Sequence, residues 1–510
     1  MTDVPTDPVD VAARLRITAA HRPDHPALVH DGGTLTYAQL HDRVDAGTAV
    51  LQAEGVGPGD RVALVLGTGP TFVEVLCAVL RAGACAVPLM PGLAPDELRH
   101  ALHDSGAVLV VAGEQRAAAV AELREVLPAL RVLLTDGVAI DGCDTWQQRV
   151  ADAGTPQLVT RELDDLAALV YTSGTTGRPR GAVLTRRNLA ANQDQSLAGR
   201  FEVGGDDVVL LVLPLAHIYA LNVGIGVSIT TGATMVLVPR FDPVATREAI
   251  LAHRVSIVLG APPMYVAWLE SGALDGVDLG SVRLAVSGAA PLPVPLFERF
   301  REATGVTIEE GYGLTEASPG VTSNSMAPAA RPGSVGLPLP GIELRLVDDE
   351  GRDVATGDPG EVWVRGPNVF RGYWNDEEAT RAVLTGDGWL RTGDVGSRDD
   401  QGYLYLVDRI KDLIIVNGFN VYPREVERVL LEDVSVAEAA AVGEPHPLTG
   451  ETVVAFVVPR AGAELDPDAL MRSCRQRLAR YKCPTRIEVR TDLPHTATGK
   501  VRRRELRATT

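Results

Sequence analysis

Three stretches of this chain have residue types and spacings that could do chemistry. In the first, the apolar run Ala167 to Val170 and then Tyr171 lead into six small residues, Thr172, Ser173, Gly174, Thr175, Thr176 and Gly177, with Arg178 and Arg180 beside them. Glycine admits the left-handed backbone of an anion-binding nest, and small neighbours let phosphate oxygens approach N–H groups and hydroxyls closely. A mobile surface loop would have a similar composition. The buried-strand pattern ahead of it, the flanking arginines and a second apolar run, Gly181 to Leu184, favour a phosphate site. It is not a Walker A loop, because the chain has no Gly-Lys-Ser or Gly-Lys-Thr string.

The second stretch is Glu309-Glu310-Gly311-Tyr312-Gly313-Leu314-Thr315-Glu316. Two glycines around a tyrosine permit a tight backbone and an open ring face for a purine. Thr315 could then donate to a phosphate, and Glu316 could hold a hard divalent cation. The third signal is compositional: of 48 basic residues only Lys411, Lys482 and Lys500 are lysine, all within the last hundred positions. Lysine is a compact point charge and arginine a planar fork, so a site that needs one ammonium beside a reacting oxygen would not accept the exchange. Lys500 follows Thr496-Ala497-Thr498-Gly499, a loop expected to leave it mobile and exposed.

The elements that must position these residues alternate. Strands are expected at Arg61 to Leu66, Ala107 to Ala112 and Val132 to Leu134, and helices at Phe72 to Arg81, Pro95 to Asp104 and Arg116 to Leu127. That order implies a parallel sheet covered by helices. The glycines of Gly55 to Asp60 precede a strand, so they are a turn and not a dinucleotide fingerprint. A second alternation follows, with a strand at Val282 to Val286 that ends in Ser287-Gly288-Ala289-Ala290-Pro291. Small residues at the carboxyl end of such a strand leave room for a ligand, although an ordinary turn reads the same way in isolation. From Gly333 to Val407, short runs broken by Gly, Pro and Asp suggest a small barrel or antiparallel sheet. Arg409-Ile410-Lys411-Asp412 then separates a final α+β unit, in which Asp466 caps a helix whose basic row, Arg472, Arg475, Arg477 and Arg480, reads as a solvated face.

With 510 residues, 45% of them hydrophobic, the chain needs more than one core, and its net charge of −18 disfavours nucleic acid or an anionic membrane as the main partner. The N-terminus shows no basic and apolar leader pattern. The charge-poor segment Val208 to Pro239 is broken by Pro214, Gly224, Gly226 and Gly232, so a buried strand, helix and strand fit it better than a membrane span. Five cysteines without a CxxC pair suit reduced thiols and a cytoplasmic setting.

With these residues in place, the chain resembles the adenylate-forming enzymes, and within them the fatty-acyl and 4-coumarate type acid:CoA ligases. YTSGTTGRPRG is similar to their phosphate loop, SGAAPL and EGYGLTEAS to their nucleotide motifs, GWLRTGD to a ribose motif and DRIKDLI to a hinge. PLAHIYALN, NGFNVYPREVE and the TGK before the C-terminus also match. The resemblance implies an α/β fold, with a large N-terminal domain (1–408) of two sheet subdomains plus a small β-barrel. A hinge (409–411) and a small mobile α+β domain (412–510) would follow. It implies an ATP-dependent ligase that uses Mg2+, makes an acyl-adenylate from a small-molecule carboxylic acid, and passes the acyl group to coenzyme A or to a carrier-protein thiol.

Carried over by position, Thr172 to Gly177 and Arg180 would hold the β- and γ-phosphates. Tyr312 would stack on adenine, with Gly288 and Ala289 on the opposite side and Gly311 close by, and Ala290, Glu310 and Gly313 would also belong to the nucleotide site. Thr315 would meet the α-phosphate, Glu316 the magnesium, and Asp394 and Arg409 the ribose. Lys500 would bridge the carboxylate and the α-phosphate, and Lys411 would be the pivot. His217, Tyr219, Val223 and Ala317 would line the acid pocket, and Gly418, Phe419 and Asn420 the CoA side. Two positions depart from the family pattern: Arg180 replaces a usual lysine, and Ala216 stands where an aromatic residue often precedes the histidine.

Overall fold

The computed structural model describes residues 10–135, 140, 143–172, 179–200, 203–417, 419–496 and 499–507. Two large sheets organise the first part of the chain. One has eight strands, in the order Gly372–Tyr373, Arg180–Thr185, Leu166–Thr172, Cys85–Pro88, Arg61–Val65, Leu109–Ala112, Arg131–Leu134 and Asp144–Thr145. From Leu166–Thr172 onward its neighbours are parallel, while Arg180–Thr185 folds back antiparallel on Leu166–Thr172. Both faces are covered, which is why its strands read as unbroken apolar runs. Within Arg61–Val65, Val62 and Leu64 join one buried cluster and Ala63 and Val65 another.

The second sheet has nine strands, ordered Leu337–Pro338, Gly320–Ser323, Ile308–Gly313, Leu284–Ser287, Ile257–Gly260, Val208–Leu211, Thr234–Leu237, Pro26–His30 and Gly33–Thr36. The charge-poor segment supplies two of these strands. Between them lies a wide π-type helix, Tyr219–Gly226, that runs on into Val227–Thr231. Among the described residues no helix is long and apolar enough to cross a membrane.

The stretch expected as one helix from Arg116 to Leu127 is broken instead, with only Ala117–Glu122 truly α-helical. Of that helix only Ala117 and Val120 are buried, too narrow a stripe to hold three regular turns against the sheet. The region after Gly333 forms an open four-stranded antiparallel sheet, Glu343–Val347, Gly360–Arg365, Leu390–Arg398 and Leu404–Arg409, in which the two outer strands do not pair with each other. Four twisted strands are too few to close around a filled interior, so the barrel expectation gives way to the sheet.

From Ile414 onward a separate sheet forms around Gly450–Pro459, flanked by Val436–His446, Ile414–Val416 and Arg486–Val489. Its buried cluster draws on Val426, Leu430, Leu470 and Cys474 from two helices, Pro423–Leu431 and Pro467–Arg477. The second opens as the sequence requires, with the Asp466 carboxylate accepting from the N–H groups of Asp468 and Ala469. Its arginines at 472, 475 and 477 are exposed.

Candidate active site

A cavity of about 1830 Å3 opens where the two large sheets, the four-stranded sheet and the C-terminal unit come together. The strand Leu284–Ser287 delivers Ser287, Gly288 and Ala289 to its wall. Ala289 adopts φ +66°, a left-handed backbone that costs a residue with a Cβ about 1 kcal/mol or more and persists only where the surroundings impose it. The neighbouring strand Ile308–Gly313 brings Gly311, Tyr312 and Gly313.

Tyr312 donates its hydroxyl to Asp394 Oδ2 at 2.7 Å, and Arg409 Nε lies 2.8 Å from Asp394 Oδ1. Asp394 is therefore one bond behind the wall, with both oxygens engaged, while Arg409 and Lys411 are on it. Glu310 is also off the wall. Its Oε1 accepts from the N–H of Leu292 at 2.9 Å, and burial pushes its carboxyl up to about 8. Ala290 and Ala317 do not line the cavity either.

Thr315 and Glu316 reach the wall from a single short turn, Thr315–Ala317. Amides that sequence reasoning missed hold this turn from behind. Asn368 Nδ2 donates to the Ala317 carbonyl at 2.7 Å, and Ser318 Oγ donates to the Asn368 carbonyl at 2.8 Å. Asn222 Nδ2 donates to the Ser318 carbonyl at 2.7 Å and is itself fixed by Gln193 Nε2, also at 2.7 Å. The Glu316 carboxylate is aimed by Tyr373, whose hydroxyl donates to Oε1 at 2.7 Å. Arg180, on the wall at the start of its strand, lies 5.7 Å over the Tyr373 ring with Nε 3.0 Å from Asp376 Oδ2.

Lys500 enters the cavity from the C-terminal unit. Its backbone is pinned, with Lys500 N donating to Thr496 Oγ1 at 3.0 Å and Thr496 N donating to the Lys500 carbonyl at 2.8 Å. The lysine is half-buried, not exposed as the composition of the stretch suggests. The role of Gly499 is close approach: at φ +82°, a Cβ there would stand 2.4 Å from Pro263 Cγ. Burial, reinforced by the Arg409 charge and opposed by Asp394, pushes the Lys500 ammonium down to about 7.

Below the glycines, the Tyr219 ring lies against Gly288, where a Cβ would come within 3.1 Å of Cε1. His217 Nδ1 accepts from Tyr219 N at 3.3 Å, and burial pushes the imidazole down to about 4, so it is neutral near pH 7 with its proton assigned to Nε2. Both residues line the cavity, with Val223 beside them. The Tyr219 hydroxyl and Ser287 Oγ are buried and have no partner among the described residues. Phe419 and Asn420 lie outside the cavity, Phe419 being 57% exposed and stacked on Tyr481 at 4.8 Å. Thr172 is on the wall; Ser173, Gly174, Thr175, Thr176, Gly177 and Gly418 lie outside the described residues.

The donor set fits a hard cation carried in with a phosphate. Among the described residues no group of three or more His, Cys, Asp or Glu could hold a metal ion alone. One oriented carboxylate at Glu316 is what Mg2+ requires when substrate phosphates and water supply its remaining oxygens.

The AMP-binding enzyme family matches residues 15–374, and the AMP-binding enzyme C-terminal domain matches residues 425–500. A feruloyl-CoA synthase of an Amycolatopsis species is 40% identical over 493 residues, covering 96% of this chain and 97% of its own. The long-chain-fatty-acid–CoA ligase of Bacillus subtilis strain 168 is 36% identical over 518 residues, covering 96% of this chain and 92% of its own. Among solved structures, ATP-bound MatB from Rhodopseudomonas palustris superposes with a TM-score of 0.91 at 34% identity, covering 98% of each chain. The chain thus belongs to the AMP-binding enzyme family.

Proposed function

We propose that this enzyme is an ATP-dependent acid:CoA ligase working in two half-reactions at one cavity. In the first, a substrate carboxylate oxygen attacks the α-phosphorus of ATP, the bond to the bridging oxygen breaks, and pyrophosphate leaves with that electron pair. In the second, the CoA thiol gives up its proton, the sulfur attacks the acyl carbonyl, and AMP leaves. The observation that carries this reading is the entry of Lys500, from the C-terminal unit, into the cavity that also presents Thr315 and Glu316.

The first step concentrates negative charge on phosphoryl oxygens, where fixed cations and N–H groups act most strongly. Lys500 would bridge the carboxylate and the α-phosphate, and Thr315 would donate to the same phosphate. The loop from Thr172, with Arg180, would hold the leaving pyrophosphate. Tyr312 would face the adenine, and Arg409 would reach the ribose with Asp394 one bond behind it. Glu316 would hold Mg2+, which supplies charge neutralisation on the phosphates. His217, neutral, would sit at the mouth of the acid pocket with Tyr219 and Val223.

The second step needs the Lys500 loop out and a thiol in. Division of the chain at 409–411, with Lys411 as the pivot, provides for that exchange and would bring Phe419 and Asn420 toward the cavity. A cytoplasmic enzyme with free access to ATP and CoA fits this chemistry. The test is ATP/pyrophosphate exchange across a panel of acids, followed by product analysis with and without CoA. Exchange that depends on an acid, and acyl-CoA formed when CoA is added, is expected. Exchange without any transfer to CoA would overturn the assigned acceptor in favour of another, such as a carrier-protein thiol.

A further inference from the structure

The cavity does not end at Gly288. Beneath the glycine-lined upper part it continues across the face of the nine-stranded sheet, where successive rows of side chains form one wall. In the upper row Leu259 is paired with Val286; in the lower row Ile257 is paired with Leu284 on one side and Val209 on the other. The facing wall comes from the helix of Tyr219, Val223 and Val227, spaced every four residues on one side. Met326 and Val203 also line the cavity.

The strand sets the depth. Four residues from Gly288 back to Leu284 span about 13 Å. Polarity changes along that length. The hydroxyls without partners, Tyr219 and Ser287, are at the top, where an acid's head group enters. The hydroxyl beside Val227 is committed within the protein: Ser228 Oγ donates to the Gly224 carbonyl at 2.7 Å.

Such a slot, polar at its head and apolar along its walls, is too deep for a single aromatic ring, which would leave the lower row unfilled. Resting on the reaction proposed above, we infer that the acid is a linear aliphatic one of about eight to twelve carbons, the length that fills a channel about 13 Å deep, and that Val227 gauges that length. Each methylene added within the channel removes apolar surface from water on both sides, raising affinity about threefold to fourfold. The gain ends below the row of Leu284 and Ile257, where those strands cease to line the cavity.

ATP/pyrophosphate exchange with straight-chain acids of about four to about sixteen carbons, and with benzoate, tests this. Expected is a kcat/KM that climbs about threefold per methylene and levels off near ten to twelve carbons. Val227→Phe should move that optimum down by about two to four carbons, because a phenyl ring fills the lower row. A flat profile, a preference for benzoate over decanoate, or an unmoved optimum in a folded Val227→Phe enzyme would overturn it.

Failure of the channel and failure of the reaction are distinguishable through binding alone. Displacement of a fluorescent undecanoate probe from the wild-type protein by decanoate, but not by butanoate or benzoate, supports the channel without any turnover. If the probe binds that way while no acid supports exchange, the reaction reading falls and the channel stands. No displacement by decanoate overturns the channel.

Discussion

At the scale of single residues, the proposed chemistry rests on a lysine that its surroundings keep close to neutrality. With its ammonium pushed down to about 7, Lys500 is mostly uncharged at pH 8 in the free enzyme. An arriving anion restores the charge, so ATP binding is expected to take up a proton at pH 8 and almost none at pH 6, where the lysine is already charged. Calorimetry in buffers of different ionisation heat reads this directly, and Lys500→Met should abolish the difference. Lys500→Ala should lower adenylate formation at least about a hundredfold, the scale of losing one principal charge stabiliser. Thioester formation from preformed acyl-adenylate should be largely spared, and equal loss in both steps would refute the role. Glu310 gives the opposite pH signature. Its folded carboxyl titrates near 8 because of burial, so the folded state holds a proton that the unfolded chain gives up near pH 4.5. Stability is therefore lost as pH rises from about 4.5 to 8. Glu310→Gln keeps an oxygen for the Leu292 N–H and should raise Tm by a few degrees at pH 8 and hardly at all at pH 4.

Elements explain what the sequence made legible and what it hid. Strand ends announce themselves through small residues after apolar runs, so the placements of Thr172, Gly288, Tyr312 and Thr315 on one cavity were readable from Leu166–Thr172, Leu284–Ser287 and Ile308–Gly313. The parts that set geometry were not readable. Asn222, Asn368 and Tyr373 are fixed by partners far away in the chain, and neither helical nor strand periodicity marks a residue whose task is one long-range hydrogen bond. Glu310 misled for the same reason: its buried carboxylate is committed to the N–H of Leu292, a partner that no periodicity marks. The short turn Ile410–Asp412 is the element on which the proposed pivot would depend. Lys411→Pro would fix φ there and remove an N–H, so thioester formation should suffer more than adenylation. Single-turnover measurement of both steps tests this, and unchanged kinetics in each would remove the hinge role from position 411.

Across the whole molecule, the arrangement that admits Lys500 is held by contacts between the C-terminal unit and the rest. The Lys500 loop packs Gly499 against Pro263 at the start of the helix Pro262–Glu270. At the other end of that helix, Glu270 Oε1 meets Arg460 NH1 of the C-terminal unit at 2.9 Å. The main-chain N–H of Arg424, at the start of the helix Pro423–Leu431, donates to Asp408 Oδ2 at 2.8 Å across the turn at 410–412. Arg460 and Glu270 keep 32% and 43% of their side-chain surface exposed, so solvent and salt screen the pair and its effect on stability is small. A small free energy is still enough to shift an arrangement that the proposed second half-reaction would require the enzyme to leave. Arg460→Glu sets two carboxylates against each other and should lower the adenylation rate by about threefold to tenfold at low salt. Transfer from preformed acyl-adenylate should be unchanged or faster, because that step needs the Lys500 loop withdrawn. The double exchange Arg460→Glu with Glu270→Arg restores opposite charges and should recover adenylation, while raised ionic strength should narrow every one of these differences. If Arg460→Glu slows both half-reactions equally, or the double exchange fails to rescue the first, the ion pair has no part in choosing between the two arrangements.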